Sequence, residues 1–153
     1  MKMAERRRKM DLTRFYEAHK ADYSSALEEI KGGHKQTHWI WYIFPQLAGL
    51  GFSTMAQYYG IRDLEEAKAY VQDPVLGRDL IVISNALLTL DTSNPTQVMG
   101  YPDDMKLRSC MTLFMIAAPE EPVFKKVLDK YYGGEADGNT LNMLGMTEGK
   151  KLE

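Results

Sequence analysis

Six consecutive bulky side chains, Trp39-Ile40-Trp41-Tyr42-Ile43-Phe44, stand inside a stretch, His34 to Gln46, that holds both tryptophans and two of the three histidines. Such a run escapes water only if the segment lies near the centre of a domain. Polar groups bracket it, with Lys35 and His38 before and Gln46 after. The β-branched and aromatic content would suit a buried strand, while the surroundings read as helical. Helix is the preferred reading, ending before Pro45, because proline disfavours the α conformation in the residue that precedes it. An aromatic body with a few polar tips is also how many small-molecule sites are lined.

The rest of the chain is punctuated for short helices. Leu12, Phe15, Tyr16, His19, Tyr23, Ala26, Leu27 and Ile30 recur at three and four, one apolar stripe with Asp11 as N-cap and Gly32-Gly33 as stop. Gly49-Leu50-Gly51 is a loop, and Ser53 caps a short helix over Thr54 to Tyr59. Asp63 with Glu66 fits a capping box that opens a helix through Val71. Asp73-Pro74 starts a longer helix with Val75, Leu76, Leu80, Ile83, Leu87 and Leu88 on its face. Asn94-Pro95 opens one or two turns closed by Gly100, and Pro102-Asp103 opens another helix with Leu107, Cys110, Met111, Phe114 and Met115 inward. Pro122 to Tyr132, stopped by Gly133-Gly134, and Asp137 to Leu144 complete the series. No alternating run with a hairpin turn occurs. The expectation is an all-α domain over residues 11–146, of about seven or eight short-to-medium helices, between a basic tail (1–10) and a polar tail (147–153).

Composition narrows the classes of function. The chain has 153 residues, 44% hydrophobic and 26% charged, as expected for one globular domain with a real core. Its apolar runs are far short of the ~20 residues that span a bilayer, so no membrane partner is expected. Met1 to Asp11 is charged rather than apolar, unlike a signal peptide. A single cysteine, Cys110, excludes an internal disulfide framework and points to a cytoplasmic setting. The net charge of −2 argues against a nucleic-acid partner, and the cluster Lys2, Arg6, Arg7, Arg8 and Lys9 reads as a solvated tail.

Several blocks carry a resemblance. His38-Trp39-Ile40-Trp41-Tyr42-Ile43-Phe44-Pro45-Gln46, then Leu50-Gly51-x-Ser53, is similar to the signature of an uncharacterised bacterial and fungal family, domain of unknown function eighteen-ten (DUF1810). The similarity continues through Glu66-Ala67-x-Ala69-Tyr70, Pro74-Val75-Leu76-Gly77, Lys106-Leu107-x-Ser109-x-Met111-Thr112-Leu113-Phe114 and Asp137-x-x-Thr140-Leu141. It spans Leu12 to Leu144 and implies a compact, mainly helical domain without an established activity. Some members carry the label calpastatin, which implies a disordered inhibitor and does not suit a core-forming composition. His19 and Cys110 stand where that pattern has glutamine and serine, and His34 falls at a variable position, so all three lose weight as chemical residues.

The candidate site follows from side-chain chemistry. Lys35, His38, Trp41 and Gln46 are expected to line one wall of a polar-aromatic pocket, and Lys106, Ser109 and Thr112 the other. A nucleotide-like or other anionic small molecule would sit between them, its negative group held by Lys35, Lys106 and the backbone N–H groups around Gly51 and Ser53. Ser109 and Thr112 fall one turn apart in an apolar run, and buried hydroxyls need partners. If the chain is an enzyme, His38 is the candidate general acid-base, because its ordinary pKa lies near neutrality, with Asp103 as a second. His34 and His38 are four apart, but no third ligand accompanies them, so no metal is expected, and no cofactor is indicated. The competing reading is a non-enzymatic protein-interaction module in which the Trp-rich segment is simply core.

Overall fold

The computed structural model describes residues 10–146; the basic cluster from Lys2 to Lys9 and the 147–153 tail lie outside the described residues. Nine helices follow one another there: α1 Thr13–Lys31, α2 Ile40–Ile43, α3 Thr54–Tyr59, α4 Leu64–Gln72, α5 Leu76–Leu88, α6 Pro95–Met99, α7 Asp103–Ala117, α8 Val123–Tyr132 and α9 Gly138–Met143. The fold is all-α, as the punctuation predicts. The count exceeds seven or eight because single-turn segments such as α2 form helices of their own. Among the described residues the β contribution is one isolated parallel bridge, Leu47 to Ile61.

Local chemistry sets most helix starts. Ser53 Oγ accepts from Ala56 N–H at 3.1 Å, Asp63 Oδ1 from Glu66 N–H at 2.9 Å, and Asp137 Oδ2 from Thr140 N–H at 2.9 Å. Asn94 Oδ1 takes the Thr96 and Gln97 N–H groups at 3.0 and 3.2 Å. Each satisfies amides that a helix start leaves without partners. Two expected caps act slightly outside their helices. Asp11 accepts from Thr13 N–H at 2.8 Å although α1 begins after Leu12. Asp73 accepts from Val75 and Leu76 N–H at 3.0 and 2.9 Å, bridging the turn before α5. At the C-terminus of α8, Gly133 adopts φ 63°, a left-handed position that glycine occupies without a Cβ clash.

Helix α7 runs through the core: Leu107, Cys110, Met111, Leu113 and Phe114 are all buried. Helices α4, α6, α8 and α9 pack on it. An aromatic chain crosses the interior from Phe15 to Tyr70 (5.0 Å, edge-on), Phe114 (5.4 Å) and Phe124 (5.9 Å). Edge-on and tilted pairs at such distances add specific attraction to the area they bury. Helices α4 and α5 meet at Gly77, where a Cβ would stand 2.0 Å from the Val71 carbonyl oxygen, so only glycine permits this approach. No helix of the described residues is long and apolar enough to cross a membrane.

Candidate functional site

The apolar run divides its side chains between two roles. Trp39 is 1% exposed, and its indole N–H donates to Glu29 Oε1 at 2.9 Å. Ile40, Ile43 and Phe44 are core, and the Tyr42 hydroxyl donates to Asp22. Trp41 alone of the six stays half-buried. Its indole Nε1–H lies beneath the surface without a hydrogen-bond partner. No protein group answers it, so the fold leaves this donor to be met by an acceptor from outside the chain. The Trp41 ring lines a half-open notch with Ile40, Phe44, Gln46, Ala56, Tyr59, Gly60 and Lys106, whose volume is about 10 Å³. That is room for one water-sized group.

Charge gathers on one side of this notch. Lys106 Nζ stands 5.4 Å from the Trp41 ring centroid, a cation over an aromatic face. Its carboxylate neighbour, Asp103 Oδ1, is 3.9 Å away, while Asp103 Oδ2 takes Lys35 Nζ at 2.7 Å. The Lys35 side chain is only 6% exposed; its ammonium also donates to Thr37 C=O at 2.6 Å and lies 4.9 Å from the Trp39 ring centroid. Its backbone N–H donates to Val98 C=O at 2.7 Å, tying the segment before α2 to α6. Lys35 is therefore committed to structure, whereas Lys106 is the cation at the rim, 25% exposed.

Five of the ten residues expected from sequence are thus brought together: Lys35, Trp41, Gln46, Asp103 and Lys106. Of the other five, Gly51 lies against two residues of the notch lining, its Cβ position 2.8 Å from Ala56 Cβ and 3.6 Å from Gln46 Nε2, while His38, Ser53, Ser109 and Thr112 do not line it. His38 is exposed ahead of α2 and does not line the notch. Residues 34–39 are not helical, so the four-residue spacing of His34 and His38 puts them on no common helix face; His34 Nδ1 lies 3.3 Å from Gln97 C=O instead. Ser53 is spent on its cap, and Gly51 serves packing, since a Cβ there would come within 2.8 Å of Ala56 Cβ. The hydroxyls of Ser109 and Thr112 donate to the carbonyls four residues back, Met105 at 3.2 Å and Arg108 at 2.9 Å. Thr112 Oγ1 also accepts from Asp137 N–H at 2.8 Å, so a neighbouring loop rather than a ligand completes it.

Residues with no sequence signal hold the site in place. Glu29 on α1 accepts from Gln36 N–H, Thr37 N–H, Thr37 hydroxyl and the Trp39 indole at 2.7, 3.0, 2.6 and 2.9 Å. Burial alone would raise its carboxyl, but those four donors outweigh it and bring the pKa down to about 2. On the far side, Arg14 makes a bidentate pair with the fully buried Glu66 (2.8 and 3.2 Å) and donates to Tyr58 and Gly60 C=O at 2.9 and 2.8 Å, fixing the wall that carries Tyr59. Burial, then the neighbouring Tyr58 and acidic groups, raise the Tyr59 phenol above its ordinary value. Among the described residues no group of three His, Cys, Asp or Glu is placed to hold a metal.

Comparison with known proteins agrees with this architecture. The conserved hypothetical protein Rv1873 from Mycobacterium tuberculosis has a similar crystal structure, with a TM-score of 0.87 and 43% sequence identity over 90% of this chain and 99% of that one. No curated protein matches the chain. The family described as "protein of unknown function (DUF1810)" matches residues 9–144. On that match the chain belongs to the DUF1810 family.

Proposed function

We propose that the protein binds an anionic small molecule, with the Trp41–Gln46–Lys106 notch receiving its charged end. The observation that carries this reading is the buried, unpartnered Trp41 indole N–H in a ring that lines a notch with a cation on its rim. An oxygen acceptor there would satisfy the donor and face the ammonium together. The small volume of the notch suits the tip of a ligand rather than a whole nucleotide, so the remainder would rest outside. Binding is favoured over catalysis because Asp103 is already held between two lysines and His38 stands off the notch.

A ligand that binds only the folded state raises the unfolding midpoint, so thermal shifts against carboxylated, phosphorylated and neutral metabolites test the reading. The expected result is a shift with anions that Trp41→Phe and Lys106→Gln abolish and His38→Ala leaves intact. No shift with any anion, or a shift that survives Trp41→Phe, refutes it. The interaction-module reading has a separate observation in its favour, the outward display of Phe52 and Tyr101, 84% and 77% exposed. Retention of a protein partner that is lost in Phe52→Ser and kept in Trp41→Phe would select it.

A further inference from the structure

Resting on that reading, we infer that the group the notch recognises is a carboxylate monoanion, carried by a small organic acid, and not a phosphate. The charge balance is the first ground. Lys35 and Lys106 share the single carboxylate of Asp103, which leaves one positive charge to be answered. A carboxylate answers it completely. A phosphate dianion would bring one negative charge too many into a partly desolvated recess, where uncompensated charge is expensive.

The second ground is the supply of donors. Ile40, Phe44 and Ala56 offer the notch apolar side chains. The side-chain donors at hand are the Trp41 indole, the Gln46 amide, the Tyr59 hydroxyl and the Lys106 ammonium. Phosphate sites ordinarily gather several backbone N–H groups or an arginine fork around three terminal oxygens. Here a half-open recess with about 10 Å³ of space admits one oxygen atom. A carboxylate would answer these groups by placing one oxygen at the unpartnered Trp41 N–H and turning the other to Lys106, whose Nζ stands 5.4 Å from the Trp41 ring centroid. Neither Arg14 nor Arg108 is free to make a fork: Arg14 is engaged with Glu66, and Arg108 with Glu135 and the Glu135 and Ala136 carbonyls.

The two tryptophans make the inference directly measurable, because the Trp39 indole N–H is already bonded to Glu29 and serves as an internal control. Indole resonances in ¹H–¹⁵N correlation spectra of the full chain would be followed at fixed ionic strength and about pH 8, where inorganic phosphate carries two charges. The probes are formate, acetate, inorganic phosphate and the neutral ester methyl acetate, and the Trp41→Phe spectrum assigns the two peaks. The expected result is a saturable displacement of the Trp41 peak by formate or acetate, with Trp39 still. Phosphate should act at least about tenfold more weakly, the ester not at all, and Lys106→Gln should weaken acetate by about tenfold or more. Phosphate acting as strongly as acetate overturns this inference while leaving an anion site in place. A Trp41 peak that no anion moves, or one that moves only together with Trp39, overturns the site itself and assigns the notch to an ordered water.

Discussion

Replacing Glu29 by glutamine isolates the charge that organises the segment before α2. Glutamine keeps an oxygen for the Gln36, Thr37 and Trp39 donors, all three of which use Oε1, and its amide can donate to the Thr37 hydroxyl after that group turns. The count of bonds is nearly preserved, so the loss is electrostatic. The fall of the carboxyl pKa from its ordinary 4.5 to about 2 corresponds to about 3 kcal/mol in favour of the ionised, folded form. Solvent in contact with this half-buried group screens part of that, leaving about 2 kcal/mol. The sign follows from linkage: a carboxyl lowered by folding stabilises the protein fully above its unfolded pKa and ceases to do so as pH falls through the folded value. Urea unfolding followed by tryptophan fluorescence should therefore show Glu29→Gln about 2 kcal/mol less stable near pH 7. The gap should narrow below about pH 4.5, with more than half of it gone by about pH 3. A gap that is absent at neutral pH, or that stays constant through this window, would refute the claim that the charge holds the segment.

Three further outcomes test other parts of the architecture. Arg14→Met removes the main partner of Glu66, whose side chain is 0% exposed, and should cost about 3–5 kcal/mol in chemical denaturation, whereas Arg62→Ala at the exposed end of the same cluster should cost under about 1 kcal/mol. Gly77→Ala pushes a Cβ against the Val71 carbonyl and should lower stability by about 3 kcal/mol or more, enough to reduce soluble yield; an unchanged melting midpoint would show that α4 and α5 can separate freely. Burial lowers the His19 pKa, with Asp79 opposing at 3.3 Å, so the unfolded chain takes the proton first and stability should fall as pH drops below 6.5; His19→Gln should flatten the slope that begins there.

What could be seen in the sequence was what depends on near neighbours. Ser53, Asp63, Asn94 and Asp137 cap helices because a short polar side chain reaches an amide two or three residues on, and that reach is written in the spacing. The capping box at Asp63 formed only half: Glu66 turns instead to Arg62 N–H at 2.9 Å and to Arg14, fifty-two positions away. Ser109 and Thr112 looked available because a hydroxyl bonded to the carbonyl four residues back leaves no mark on spacing. Glu29 left no trace for the opposite reason. Its partners lie seven to ten residues ahead, beyond any helical period, and two of the four are backbone amides that any residue would supply.

The convergence of Lys35, Trp41, Gln46, Asp103 and Lys106 is a consequence of how the irregular segment 34–39 is anchored. Glu29 holds it from α1, the Val98 carbonyl from α6 and the Asp103 carboxylate from α7, so three helices fix the entry to α2. With Trp39 buried and bonded, the helical turn that follows leaves Trp41 at the surface beside α7, where Lys106 sits one turn past Asp103. The entry to the notch is thus tied to three helices by hydrogen bonds and an ion pair. The notch's donor has no protein partner, while the nearest cation, Lys106, stands over the ring with Asp103 at 3.9 Å. This sets the relation between stability and binding: weakening Glu29 should loosen Lys35 and Trp39 together and reduce anion affinity without touching the notch. If Glu29→Gln kept full affinity, the anchoring would matter for the fold alone.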